Sequence, residues 1–249
     1  MLAKTPGRGH PLTHKKIRKM PGKRKAKGAF NRAAAVFALA FAWAFIFLTP
    51  PEFSAWVSGK KMTLEEQRYL SELRRKYSGT QRTLTVGDAR MAIAGACAFI
   101  SRANGSPGLY DTPEARELLF GTACTESGLR PRFQDSHGFA IGLFQIEYAT
   151  FCDLRDRALK SARPGLYAEI VRAYAKPGAG DITFEDLQQN DELAAVFARL
   201  KYAQTKDPIP PADDVNALAR YYKKHYNTHL GKATPQAYVK RRAEALEGG

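Results

Sequence analysis

The chain is poor in cysteine: Cys97, Cys124 and Cys152 are the only three in 249 residues. An odd count with no Cys-x-x-Cys pair supports neither a disulfide framework nor a zinc site. His225 and His229 stand four apart, but Asn227-Thr228 is expected to interrupt the helix there, and no third ligand is evident. There is no phosphate-binding glycine loop and no internal repeat, so no metal or cofactor is implied. Strand signals are also scarce. Only residues 138–146 are spaced for a small hairpin, so the fold is expected to be mainly α. Acidic residues are missing from the first 32 positions, which carry 11 Lys or Arg. Aromatic residues are missing before Phe30, which removes the platforms on which bases stack.

What is present at the N-terminus is charge followed by oil. The formal net charge is +15, yet beyond residue 32 the chain carries 28 basic against 24 acidic residues, so the basicity is mostly a tail. With almost nothing apolar, residues 1–32 are expected to be disordered on their own. Three roles fit such a tail: non-specific contact with nucleic-acid phosphates, contact with anionic lipid, or the positive flank of a membrane helix. Residues 33–48, AAAVFALAFAWAFIFL, contain no polar side chain apart from the Trp43 indole. As a helix they span about 24 Å, slightly under a hydrocarbon core. Ala29 and Phe30 can extend the segment, Arg32 can snorkel, Pro50-Pro51 ends it, and Trp56 suits an interface. A buried helix of a soluble protein and a cleaved signal peptide are the other readings. The long basic stretch and the lack of an Ala-x-Ala site argue against cleavage. An uncleaved anchor keeps the N-terminus in the cytoplasm and the rest outside. The expected organisation is a basic tail (1–32), a hydrophobic anchor (33–50), a connecting region (51–87) and a helical domain (88–249).

Within the connecting region, Thr63-Leu64-Glu65-Glu66 matches a capping box opening a helix to Tyr77, whose Leu64, Leu70, Leu73 and Tyr77 suit a stalk or a docking helix. Residues 79–85 read as a loop and 88–103 as an Ala-rich helix ending at Asn104-Gly105. Asp111 or Thr112 caps a helix over 114–127, with Pro113 in its first turn. Thr150 is a cap for a helix to Leu159, residues 164–175 form another, and 176–180 a turn. Asn190 caps a helix over 191–205, a further one covers 213–225, and Thr234-Pro235 opens the last, to Leu246.

The stretch 118–151 carries the chemistry. Leu119, Ala123 and Glu126 fall at spacings of four and three, so Glu126 shares a face with apolar side chains. It lies in the last helical turn, before a stop at Gly128, where the helix dipole disfavours negative charge. Partial burial acts in the same direction, and both raise a carboxyl pKa toward what a general acid needs. The alternative is a glutamate that caps the helix end or pairs with Arg130 or Arg132.

Glu126-Ser127-Gly128, then Gly142-Leu143-Phe144-Gln145-Ile146, then Tyr226-Asn227 stand in an order that resembles the lytic transglycosylase and goose-type lysozyme superfamily, over roughly residues 112–242. The wording around the motifs looks most like versions carried by bacteriophages. The resemblance implies a lysozyme-like fold and cleavage of peptidoglycan glycan strands, with Glu126 as general acid and base. It implies that Ser127 helps position substrate, Gln145 bonds an acetamido or hydroxyl group, Gly142 lets backbone approach the sugar, Tyr226 bonds near Glu126 and orients it, and Asn227 binds sugar. Each has a plainer alternative: Ser127 bonding its own helix, Gln145 a loop residue, Tyr226 a core residue. The chain reads Tyr-Asn-Thr-His where the family has Tyr-Asn-Ala-Gly. A hydrolase of the usual kind needs a second carboxylate, for which Asp135, Glu147 and Asp153 are candidates; a transglycosylase needs none. The expected setting is a phage virion, or the inner membrane with the catalytic domain in the periplasm. Glycan strands, a membrane at 33–48, other virion proteins and DNA at the tail are the expected partners. A non-catalytic structural or ejection protein, and a bacterial wall-remodelling enzyme, are the alternatives.

Overall fold

The computed structural model describes residues 62–79, 82–106, 108–134, 139–228 and 231–248. The basic tail, the apolar segment 33–48, Trp56, Asp135 and His229 lie outside the described residues. Among the described residues no helix is long and apolar enough to cross a membrane. All of them belong to one compact unit.

The unit is mainly α. Helix α1, Leu64–Tyr77, opens on the expected capping box: Glu66 N donates to Thr63 Oγ1 and Thr63 N to Glu66 Oε2, satisfying two orphan amides. Its Leu70 and Leu73 enter the common core. Tyr69 Oη accepts from Glu185 N, and Lys76 and Tyr77 both donate to Glu185. The helix therefore docks on its own domain.

Helix α2, Val86–Ala103, starts two residues before the expected Asp88, because Thr85 is the cap and Asp88 closes a second capping box from the third helical position. Helix α3, Pro113–Glu126, is capped by Thr112, whose Oγ1 accepts from Ala115 N. It is the central helix: Ala115 and the eight consecutive residues Leu118 to Thr125 are buried.

The expected small hairpin is part of a three-stranded antiparallel sheet. β1 (Arg132–Gln134) pairs with β2 (Ala140–Gly142), and β2 with β3 (Ile146–Glu147). The hairpin of β2 and β3 falls within the stretch read from the sequence; β1 does not. Three residues, Arg-Phe-Gln, are too short for alternation to register, and the strand is held by pairing Arg132 with Gly142 and Gln134 with Ala140.

Helix α4, Tyr148–Cys152, follows β3 directly and widens into a π-helical run, Asp153–Ser161. It starts ahead of the expected Thr150 cap because β3 feeds straight into it through Glu147. Then come α5 (Pro164–Tyr174), a short α6 (Asp186–Gln189) not foreseen, and α7 (Asp191–Tyr202), capped by Asn190 Oδ1 accepting from Leu193 N. Helix α8, Val215–Tyr222, passes into a π turn, Lys223–Asn227, and α9 is Pro235–Glu247. α2 packs chiefly on α7, and α9 on α3. Ala89, Ala96, Ala194, Ala195 and Ala198 are all buried, and their small side chains let helix axes approach closely. The C-terminal end of α3, the turn between β2 and β3, and the end of α8 are thereby brought together.

Candidate active site

Helix α3 ends where Gly128 and Leu129 both take positive φ, +61° and +58°. That reversal leaves Glu126 in the last turn. One edge of the residue is open to solvent, but protein surrounds the carboxyl densely, and this desolvation raises its pKa. A hydrogen bond from Tyr222 and the positive charges of Lys201 and Arg241 oppose the rise, while the negative charge of Glu147 adds to it. Tyr222 Oη donates to Glu126 Oε1 at 2.7 Å. Burial and the Glu126 charge push the Tyr222 phenol well up, so it remains a donor. Arg132, a sequence-level candidate for an ion pair, instead caps the helix: its Nη2 donates to the Glu126 backbone carbonyl at 3.1 Å.

The residues named with Glu126 fall in different places. Ser127 is 2% exposed, and its Oγ donates to Ala123 O at 3.1 Å; its hydroxyl serves the end of α3. Gly142 has φ +80°, and a Cβ there would lie 2.3 Å from Leu187 O, while its N–H donates to Gln188 Oε1 at 3.0 Å. The close approach that requires glycine is therefore to the backbone of α6, a correction to the expected approach of a sugar.

Tyr226 also needs correcting. Its hydroxyl donates to Phe144 O at 2.9 Å and ties the π turn to the loop between β2 and β3. The hydroxyl on Glu126 belongs to Tyr222, four residues earlier on the same helical face, and the two rings stack with centroids 6.1 Å apart. Asn227 is half-buried; its Oδ1 accepts from Lys223 Nζ at 2.8 Å, and the same ammonium donates to Gly231 O.

Gln145 is 7% exposed and sits at φ +45°, an uncommon conformation for a residue with a Cβ. Its Nε2 donates to the carbonyls of Arg132 and Gly142, both at 2.8 Å. Two carbonyl acceptors fix the orientation of the amide, since the reverse would set oxygen against oxygen. Its Oε1 is buried and has no partner among the described residues. An unpaired buried carbonyl costs about 1–3 kcal/mol.

Of the candidate second carboxylates, Asp153 is taken by Arg157, with both oxygens bonded at 2.6 Å. Glu147 is exposed at the end of β3, makes no side-chain cap bond to α4, and its charge bears on Glu126, Lys201 and Tyr226. The sequence reasoning missed Tyr222 and Lys201. The i, i+4 repeat of Tyr222 and Tyr226 was the available signal for the first; nothing local marks the second.

Other chemistry finds little support. Among the described residues no group of three or more His, Cys, Asp or Glu is placed to hold a metal. The Cys97 and Cys124 thiols are buried and pushed up to about 12, so neither is a ready nucleophile. Two shallow concavities run along α1, and neither is lined by Glu126.

These contacts separate the two tyrosines by experiment. Tyr222→Phe is expected to lower any Glu126-dependent rate about 10-fold or more, because it removes an orienting bond to the carboxyl, and to cost about 1 kcal/mol of stability as well. Tyr226→Phe is expected to cost about 1 kcal/mol of stability through the lost bond to Phe144 O. Rates and thermal unfolding of the two variants, measured side by side, check this; equal rate losses would remove the distinction.

No family model, no curated protein and no solved structure matches the chain.

Proposed function

We propose that the chain cleaves the glycan strands of bacterial peptidoglycan between N-acetylmuramic acid and N-acetylglucosamine, as a lytic transglycosylase with a lysozyme-like domain. The observation that carries this is a single raised carboxyl, Glu126, oriented by a phenol and set at the end of a buried helix. The order of the Glu-Ser, Gly-Leu-Phe-Gln-Ile and Tyr-Asn motifs supplies the substrate class.

The chemistry needs one acid. Glu126 gives its proton to the glycosidic oxygen as the C1–O bond breaks. The acetamido oxygen of the same sugar closes on C1 and holds the developing positive charge. Glu126, now a carboxylate, takes the proton of the 6-hydroxyl, whose oxygen displaces the acetamido group and closes a 1,6-anhydro ring. No water is consumed. The unpaired Oε1 of Gln145 is buried beneath the loop between β2 and β3, and would accept the acetamido N–H only where that loop shifts to admit it. The exposed carboxylate of Glu147 favours a second reading, in which it activates a water and the enzyme is a hydrolase.

The setting follows the sequence: an anchor at 33–48 with the catalytic domain outside the cytoplasm, in a phage particle that opens the wall for genome entry. The test is release of soluble fragments from purified peptidoglycan by the full chain in detergent. Release supports the proposal. Binding to the glycan without release would favour a structural virion protein.

A further inference from the structure

One half-buried charge has no part in the mechanism above. Lys201 lies near the end of α7; the residue is half-buried, with protein packed densely around its ammonium. Its Nζ donates to Tyr226 O at 3.0 Å and stands 3.8 Å from the centroid of the Tyr226 ring. Among the described residues no carboxylate lies at ion-pair distance from it. Burial lowers the pKa of this ammonium; the charges of Glu126 and Glu147 oppose that. A lysine desolvated without a contact carboxylate is costly, and perturbed ionisable groups cluster at functional sites.

We propose that Lys201 is a positioning residue for the acid and base cycle of Glu126: its ammonium, fixed against the carbonyl and ring of Tyr226, stabilises the Glu126 carboxylate formed when the proton leaves. The inference rests on reading Glu126 as the acid. The geometry suits the role. A direct ion pair would hold Glu126 ionised and remove its proton before substrate arrived. A charge bonded instead to the Tyr226 carbonyl favours the carboxylate without pairing with it. The other groups facing Glu126 are Tyr222 from α8, Tyr226 from the π turn, Glu147 at the end of β3, Arg241 from α9, and Arg132 of β1 on its backbone carbonyl. Of the two cations whose charge reaches the carboxyl, Arg241 is exposed and screened, and Lys201 has the larger influence.

The sign of the effect is definite. A positive charge lowers a carboxyl pKa, so its loss raises the pKa, and Glu126 stays protonated to higher pH. Lys201→Gln keeps a donor for Tyr226 O without the charge, and Lys201→Arg keeps the charge. In Lys201→Gln the alkaline limb of kcat/KM is expected to move up by about one pH unit, and kcat to fall about 10-fold because the carboxylate product is less stabilised. Lys201→Arg should keep the wild-type limb. A limb unmoved in Lys201→Gln, or wild-type kinetics restored by Gln, would overturn the proposal and make Lys201 a packing residue.

The full chain in detergent, labelled with 13C at glutamate carboxyls, gives a second readout that needs no activity. The Glu126 signal, identified by its absence in Glu126→Gln, should titrate at higher pH in Lys201→Gln than in wild type; an unchanged midpoint overturns the coupling. Failure of the functional reading is distinguishable, because it would appear in the wild-type protein as absence of cleavage whatever the Lys201 variants do.

Discussion

Glu126→Gln is expected to lower fragment release from peptidoglycan by about 10²–10⁴-fold while leaving glycan binding in place. The amide keeps the shape of the carboxyl and can still accept from Tyr222 Oη, but it has no proton to give and cannot take one back. Retained release would remove Glu126 from the chemistry. The same substitution is expected to stabilise the fold. A carboxyl whose folded pKa is raised binds protons more tightly in the native state, so stability falls as pH rises from the unfolded value through the folded one. At neutral pH, above the unfolded value, the buried carboxyl is therefore a cost, and Gln removes it. The gain is expected as a higher Tm of the variant than of the wild type at neutral pH. The gain should shrink below the unfolded carboxyl pKa, where both states are protonated. Thermal unfolding of wild type and variant at neutral and at acid pH checks both signs.

Gly142→Ala is expected to be strongly destabilising. The position combines φ +80° with a Cβ site 2.3 Å from Leu187 O. The neighbour is backbone, which cannot swing aside as a flexible side chain can. The strain of positive φ, about 1–2 kcal/mol, adds to overpacking of about 1–3 kcal/mol. The hydrogen bond from Gly142 N to Gln188 Oε1 would be strained with it. A loss of about 3 kcal/mol lowers Tm by roughly 6–12 °C. Gly178→Ala is the control: φ is +78°, but nothing lies within 4 Å of the added carbon. It should lose only the conformational part, about 1–2 kcal/mol. Equal losses at the two positions would show that contact with Leu187 does not explain the glycine.

What could be read from the sequence was what local chemistry decides. Thr63 with Glu66, Thr112 before Pro113, Asn190 and Thr234 each announced a helix start, because a cap satisfies amides within three residues of itself. The last turn of α3, with Glu126 in it, was legible for the same reason: apolar spacing placed the residue and Gly128 stopped the helix. What depends on a partner distant in sequence was not legible. β1 exists because β2 pairs with it. Gly142 is glycine because of Leu187, and nothing between the two positions announces that approach. The two tyrosines show the limit within one motif. Tyr222 and Tyr226 are both presented by the same face, and only the place where α3 ends decides which hydroxyl meets Glu126 and which meets Phe144 O. Lys201 lay within a predicted helix, where a lysine ordinarily faces solvent.

The account stands or falls on whether one carboxyl is enough. The measurement that tests this most directly is mass spectrometry of the fragments that the full chain releases from purified peptidoglycan. The account predicts 1,6-anhydro products, one water lighter than ordinary reducing fragments, and none from Glu126→Gln. Fragments with reducing ends would contradict it, since water would then be the nucleophile and the exposed Glu147 carboxylate the group to substitute next.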